Sequence, residues 1–308
     1  MIMAAQDMKN ISAEILELKK STGAVIFAHN YVAAEIQDIA DFVGDSLELS
    51  LKAAQCKEKI ILFCGVSFMA ETAKVLSPES MVLLPVPDAG CPMADMAPAE
   101  EVKKLRAENP DAVFIAYVNT TAGAKANVDI CCTSANAEKI AASVPADRKI
   151  IFLPDKNLGR NVAKSVERKY DFWNGCCPIH DKITCEMIMQ AKKEHPGCPV
   201  IIHPECRPEV VACADYSAST GKMLSIIKED PASGFVIATE EGILHRLKKE
   251  FPERNFYALS PCVICADMKK ITLESVRDAL KFKQHEVLLD AETIKKARVP
   301  IERMLNTK

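Results

Sequence analysis

Three stretches of this chain carry one pattern at nearly one spacing, and that repeat limits the fold more than any other feature. An apolar run ending in polar residues occurs at Ile26-Phe27-Ala28-His29-Asn30-Tyr31, at Phe114-Ile115-Ala116-Tyr117-Val118-Asn119 and at Val200-Ile201-Ile202-His203-Pro204-Glu205. His29, Tyr117 and His203 lie 88 and 86 residues apart. A hydroxyl-bearing turn follows each run, and Ser46, Ser134 and Ser219 keep spacings of 88 and 85. A helical pattern then begins at Leu47, Ala135 and Lys222. A second apolar run, another helix and a third short strand come next. A cysteine closes each segment: Cys91, Cys177 and Cys265, separated by 86 and 88. The match is one of pattern, not of letters.

Strands alternating with helices predict parallel sheets under helical cover. The expected fold is α/β, with three analogous parallel-sheet domains at residues 22–108, 109–196 and 197–285. Terminal helices at 1–21 and 286–308 are expected to pack on the core. No glycine- or proline-rich linker separates the segments, so tight packing about a pseudo-threefold axis is expected. Catalytic groups in such folds gather beyond the carboxyl ends of the strands. Those ends carry His29, Tyr31, Tyr117, Asn119, His203 and Glu205.

The 308 residues are 49% hydrophobic and 26% charged, which suits a full globular core. The longest apolar run, near Ile60 to Ala70, is interrupted by Gly65 and Ser67 and falls short of the roughly 20 residues a membrane span needs. The first helical pattern has mixed charge and no secretory signature, so a cytosolic location is expected. A net charge of −3 without basic runs argues against nucleic acid as a partner. Thirteen cysteines are many for such a chain, and the number is odd. In a reducing compartment such richness points to metal or redox chemistry before disulfides. Most of them, for example Cys56, Cys64, Cys185 and Cys198, read as small buried hydrophobes.

One cysteine per repeat would bring three thiolates to one point. No compact ferredoxin-type run is present. Zinc is one alternative, although structural zinc sites favour four ligands in close pairs. A 4Fe-4S cube held by three cysteines leaves one iron without a protein ligand, able to polarise a substrate oxygen. Cys176 beside Cys177, and Cys262 three residues before Cys265, are competing candidates; repeat register favours Cys265 over Cys262.

Longer strings carry a resemblance. They are His29-Asn30-Tyr31 with Glu35 to Asp41 and Gly44-Asp45-Ser46-Leu47, Tyr117-Val118-Asn119-Thr120, Cys132-Thr133-Ser134-Ala135-Asn136-Ala137 and Pro154-Asp155-Lys156-Asn157-Leu158-Gly159. They continue with Trp173-x-Gly175-x-Cys177-x-x-His180, His203-Pro204-Glu205-Cys206, Ser219-Thr220-Gly221 and Cys265-x-x-Met268-Lys269. Together they resemble the quinolinate synthases over nearly the whole chain. Asn174, where proline or glutamine is commoner, and the extra thiol of Cys176 are the departures. The resemblance implies three α/β domains around one central 4Fe-4S cluster held by Cys91, Cys177 and Cys265. It implies an oxygen-sensitive enzyme condensing iminoaspartate with dihydroxyacetone phosphate to quinolinate, the pyridine precursor of NAD, with release of phosphate and water. A functional link to L-aspartate oxidase follows from the same resemblance.

On that reading Tyr31 relays protons with help from His29, and Glu205 with His203 supplies acid–base chemistry. His29, Ser46, Tyr117, Asn119, Ser134, His203, Glu205, Ser219 and Thr220 are expected to contact substrate. Each has a plainer reading. Tyr31 and His29 would form a hydrogen-bonded sheet rim, Glu205 and His203 would satisfy one another, and the hydroxyl residues would simply cap helices. Ser219-Thr220-Gly221-Lys222 superficially looks like a P-loop but lacks the upstream glycine. Lys125, Asp155, Lys156, Arg160 and Lys182 read mostly as solvated faces. Two rival functions share the cysteine logic: another three-cysteine iron–sulfur hydro-lyase, and a non-enzymatic iron–sulfur or zinc redox protein.

Overall fold

The structure is a computed structural model that describes residues 5–307. The chain divides into two compact units. The first contains the chain up to Cys91 together with Ala266–Ile294, and the second contains Pro92–Cys265 and the residues from Lys295 onward.

The first unit holds one four-stranded parallel sheet, with strands β1 (Ala24–His29), β2 (Phe42–Gly44), β3 (Ile60–Cys64) and β4 (Met81–Leu83) in the order β2-β1-β3-β4. The second unit holds two such sheets. One comprises β5 (Val113–Tyr117), β6 (Ile130–Cys132), β7 (Ile150–Leu153) and β8 (Tyr170–Phe172), in the order β6-β5-β7-β8. The other comprises β9 (Val200–Ile202), β10 (Tyr216–Ser217), β11 (Gly234–Ala238) and β12 (Asn255–Ala258), in the order β10-β9-β11-β12. The central strands β1, β3, β7, β9 and β11 are buried along their whole length. Their continuous Val, Ile, Leu and Phe runs are what a sheet covered on both faces requires.

The turns expected at Gly44, Cys132 and Ser217 turn out to be the ends of short edge strands β2, β6 and β10. Two or three residues leave no periodicity to read. One aspartate fixes each edge. Asp41, Asp129 and Asp215, 88 and 86 residues apart, accept the amides of Ile26, Phe114 and Val200 at 2.9, 2.8 and 2.8 Å. Their own amides donate back to the same residues. Each carboxylate also meets a cation from the helix preceding its sheet: Lys19 at 2.8 Å, Arg106 through both guanidinium nitrogens, and Lys192 at 2.9 Å. Helices Ala5–Thr22, Ala99–Glu108 and Cys185–Glu194 are thereby tied to the sheets that follow them.

Helix starts show which hydroxyls cap. Asp45, not Ser46, caps helix Ser46–Gln55, in a reciprocal capping box with Glu48. Helix Ala137–Ser143 begins beyond Ser134, after Asn136. Ser219 does cap helix Thr220–Glu229, accepting the Lys222 amide. Cys185 and Cys213, the first expected as a buried thiol, form a disulfide with Cα atoms 5.9 Å apart. Among the described residues no helix is long and apolar enough to cross a membrane.

Candidate active site

Each sheet delivers chemistry where its strands end. In the first unit His29 closes β1, buried, with its Nδ1 accepting the Tyr31 amide at 3.2 Å. The two rings meet edge to face at 4.6 Å. The Lys269 ammonium donates to the Tyr31 carbonyl at 2.7 Å. Ser46 occupies the first turn of its helix, and Cys91 follows β4 as a partly exposed thiol outside any disulfide.

In the second unit the ends of β5 and β9 converge. Tyr117, the last residue of β5, donates its hydroxyl to Glu205 Oε1 at 2.5 Å. The other oxygen, Oε2, lies 2.6 Å from His180 Nδ1. That nitrogen is 3.2 Å from Cys177 Sγ, and His180 Nε2 is 2.8 Å from the Thr239 hydroxyl. His203 stacks on His180 at 4.7 Å, with its Nδ1 3.8 Å from Glu205. The expected Glu205–His203 pair is therefore close, but its side chains are not hydrogen-bonded to each other; His203 Nδ1 instead accepts the Glu205 amide at 3.4 Å. The direct partners of the Glu205 carboxylate are Tyr117 and His180, because the chain has left β9 at Ile202 and strand alternation no longer sets its side chains.

Glu205 is buried. Burial alone would raise its carboxyl, but the charges of His180 and His203 and the hydrogen bonds from His180 and Tyr117 outweigh it and hold the group at about 2. Asp155 stands nearby, also buried. Burial, then the charge of Glu205, pushes its carboxyl well above the ordinary range. The two acids are thus driven in opposite directions, as paired carboxyls in working sites often are. Asp155 Oδ1 accepts the amides of Asn157 and Leu158 at 2.8 and 3.2 Å, and its Oδ2 has no hydrogen-bond partner among the described residues.

Cys177 Sγ, a ring nitrogen of His180 and a carboxylate oxygen of Glu205 lie within 4.8 Å of one another, a group able to hold a metal ion. The loop carrying Cys177 is pinned: the Trp173 indole donates to Met96 O at 2.7 Å, and the Lys156 amide donates to Gly175 O at 2.8 Å. A Cβ on Gly175 would fall 2.5 Å from the Pro154 carbonyl, so only glycine allows that approach. Cys265, beyond β12, has its amide accepted by the buried Glu240 at 3.3 Å. Ser134 and Ser219, with Asn161, Lys164 and Lys222, line a cavity of about 330 Å³. Thr220 is buried at its helix start, and the buried Oδ1 of Asn119 has no hydrogen-bond partner among the described residues.

Four residues escaped the sequence reading. His180 sits three places after Cys177, and that spacing was the available signal. Glu240 carries no local signature, and Asp155, although inside the Pro154-Asp155-Lys156-Asn157-Leu158-Gly159 motif, reads as a solvated polar residue. Lys125, expected on a solvated face, is buried and donates to the Thr120 carbonyl.

Fold and site together define an α/β protein with three parallel sheets, in which a hydrogen-bonded Tyr–Glu–His set at the strand ends adjoins a metal-capable cysteine. The chain belongs to the family of quinolinate synthetase A proteins, which matches residues 13–306. It is 50% identical over 299 residues to a quinolinate synthase of Methanoregula boonei, covering 97% of this chain and 99% of the relative. It is 49% identical over 300 residues to that of Caldicellulosiruptor saccharolyticus, with coverage of 97% and 99%. It is 46% identical over 309 residues to that of Aquifex aeolicus, with coverage of 98% and 96%.

Proposed function

We propose that this protein is a quinolinate synthase that condenses iminoaspartate with dihydroxyacetone phosphate, releasing phosphate and water, in the making of the pyridine ring of NAD. Family membership and the Tyr117–Glu205–His180 set support this reading, and the second is the observation that carries the chemistry. A 4Fe-4S cluster would be held by Cys91, Cys177 and Cys265. All three are free of disulfides and partly exposed, which suits thiolate ligation of iron. Cys64, Cys131, Cys132 and Cys206 suit it poorly, since burial pushes their thiols up, that of Cys131 to about 12. When bound, such a cluster supplies a Lewis-acidic iron without a protein ligand.

The protein's own groups handle the protons. In the free protein Glu205 is ionised and accepts one donor on each oxygen. When substrate displaces Tyr117 or His180, one influence that keeps the carboxyl low is lost, and burial then raises it toward working pH. Glu205 can then take a proton from a substrate carbon or hydroxyl, and the displaced Tyr117 hydroxyl or His180 imidazole can return one to a departing oxygen. Tyr31 relays protons during tautomerisation. His29, whose Nδ1 is engaged by the Tyr31 amide, acts through Nε2. Asn119 Oδ1 accepts a substrate N–H or O–H. Ser46, Ser134, Ser219 and Thr220, at or near helix starts, bind substrate carboxylate or phosphate. The enzyme would act in the cytoplasm, functionally linked to an L-aspartate oxidase.

Anaerobic purification followed by product analysis with the two substrates tests the proposal. Quinolinate and phosphate in equal amounts are expected. A protein with a full cluster and no quinolinate would overturn it.

A further inference from the structure

We propose that Asn157 and Asn161 are positioning residues for Glu205, holding the main chain beneath it so that its carboxylate stays between Tyr117 and His180. The inference rests on the catalytic reading of Glu205 and gives a role to the Pro154-Asp155-Lys156-Asn157-Leu158-Gly159 motif, which that reading leaves unused.

Beyond Ile202 the chain leaves the ladder of β9, yet His203, Pro204, Glu205 and Cys206 are all buried. Buried carbonyls need donors, and no strand is there to supply them. Two carboxamides do so. Asn161 Nδ2 donates to Pro204 O and Cys206 O, both at 2.9 Å. Asn157 Nδ2 donates to Glu205 O at 3.3 Å and to Asp181 Oδ1 at 2.8 Å. An amide –NH₂ has two hydrogens, so both groups are fully used. Three consecutive carbonyls centred on Glu205 are thus held from one helix, Lys156–Ser165, by side chains one turn apart on one face.

That helix is itself fixed to the sheet carrying Tyr117. Asp155 caps it through two amides. A Cβ on Gly159 would lie 2.8 Å from the rings of both Phe152 and Phe172, so the helix rides directly on β7 and β8. Tyr117 and Glu205 come from different sheets, and the helix gives both one reference frame. Their 2.5 Å hydrogen bond has little tolerance, and a shift of about 1 Å breaks such a contact.

The test is a double-mutant cycle on the cluster-loaded enzyme, joined to a crystal structure. Asn161→Ala should lower kcat about 10- to 100-fold, the effect a misplacement near 1 Å has on reacting groups, with KM changed less than about threefold. In a Glu205→Gln background the same substitution should cost no further rate, because residues acting through one group are not additive. The crystal structure of Asn161→Ala should show Tyr117 and Glu205 beyond hydrogen-bond reach. Additive losses in the cycle, or a loss with the Tyr117–Glu205 contact intact, would overturn the proposal. Asn161→Ser, which keeps one donor, should give an intermediate loss and carries the same test if the alanine variant does not fold. If the parent makes no quinolinate, the functional reading fails, and the crystal structure of the variant alone decides the positioning role.

Discussion

His180 Nδ1 lies 2.6 Å from a Glu205 oxygen and 3.2 Å from Cys177 Sγ, so a single imidazole joins the buried carboxylate to the thiol after β8. A change of charge on either neighbour is felt by the other through that ring. Cys177 follows the last strand of the second sheet, β8, and Glu205 follows β9 of the third. A metal ion held at Cys177 would therefore be coupled to the proton position at Glu205 within the second unit.

Glu205→Gln keeps the shape of this residue and removes its charge. The carboxamide can accept through one oxygen, whereas the carboxylate takes both the Tyr117 hydroxyl and the His180 N–H. Turnover should fall about 10²- to 10⁴-fold, the range of a positioned acid or base. Tyr117→Phe should cost less, since Glu205 keeps His180. Tyr31→Phe should fall in the same range as Glu205→Gln, because it removes a proton relay without touching a ligand. All three should retain the brown absorbance of a cluster. Near-parental rates for both Glu205→Gln and Tyr31→Phe would make these residues structural.

Single serine replacements of Cys91, Cys177 or Cys265 should abolish both cluster absorbance and activity, and replacement of Cys56 or Cys198 should spare both. Activity should decay in air and return on anaerobic reconstitution with iron and sulfide. A Cys177→Ser protein with a full cluster would move the ligand to Cys176. In the metal-free protein, brief iodoacetamide treatment at pH 8 should leave Cys64, Cys131, Cys132 and Cys206 unlabelled. Burial keeps those thiols protonated, and only the thiolate reacts.

The sheets were legible because fully buried parallel strands write themselves as unbroken apolar runs, as at Ile60–Cys64 and Gly234–Ala238. The repeat alone places Tyr117 at the end of its strand and His203 and Glu205 just beyond theirs. What stayed hidden depends on three-dimensional neighbours. The Glu205 carboxylate meets Tyr117, 88 residues away, more closely than the imidazole of His203, two residues away, and no local pattern encodes that choice. Asp155 and Lys125 read as solvated because charge normally means exposure, but both are buried, Asp155 on the Asn157 and Leu158 amides and Lys125 on the Thr120 carbonyl. Ser46 is expected to contact substrate, with capping as the plainer reading, and the cap falls one residue earlier, on Asp45.

The Cys185–Cys213 disulfide bears on stability alone. It links the start of helix Cys185–Glu194 to the chain just after helix Pro208–Val211, closing a loop across a sequence separation of 28. Chain-entropy reasoning gives such a link about 3–4 kcal/mol. Thiol titration of the unfolded, metal-free protein should find 11 groups before reduction and 13 after. Cys213→Ser should lower the denaturation midpoint under oxidising conditions and have little effect in reductant. A count of 13 without reductant would remove the bond from the native protein.

Asp129 provides the pH-dependent prediction. Burial acts to raise its carboxyl, but the Arg106 guanidinium, the Phe114 amide and the charge of Arg303 prevail and hold it below the ordinary 3.8. A carboxylate lowered by folding contributes stability above its unfolded value, and that contribution is lost as pH falls through the folded one. Asp129→Asn should therefore be less stable than the parent at pH 7, by about 1 kcal/mol for a half-exposed bidentate pair plus what the Phe114 amide loses in a weaker acceptor. Between pH 7 and 4.5 the gap should stay constant. Below 3.8 it should narrow, since the parent's carboxylate begins to take up a proton that asparagine never binds. Denaturant melts of both proteins at pH 7, 5 and 3 measure it. A gap that is the same at pH 3 as at pH 7 would mean that the pair with Arg106 contributes nothing, and that Asp129 acts only as a neutral acceptor for the Phe114 amide.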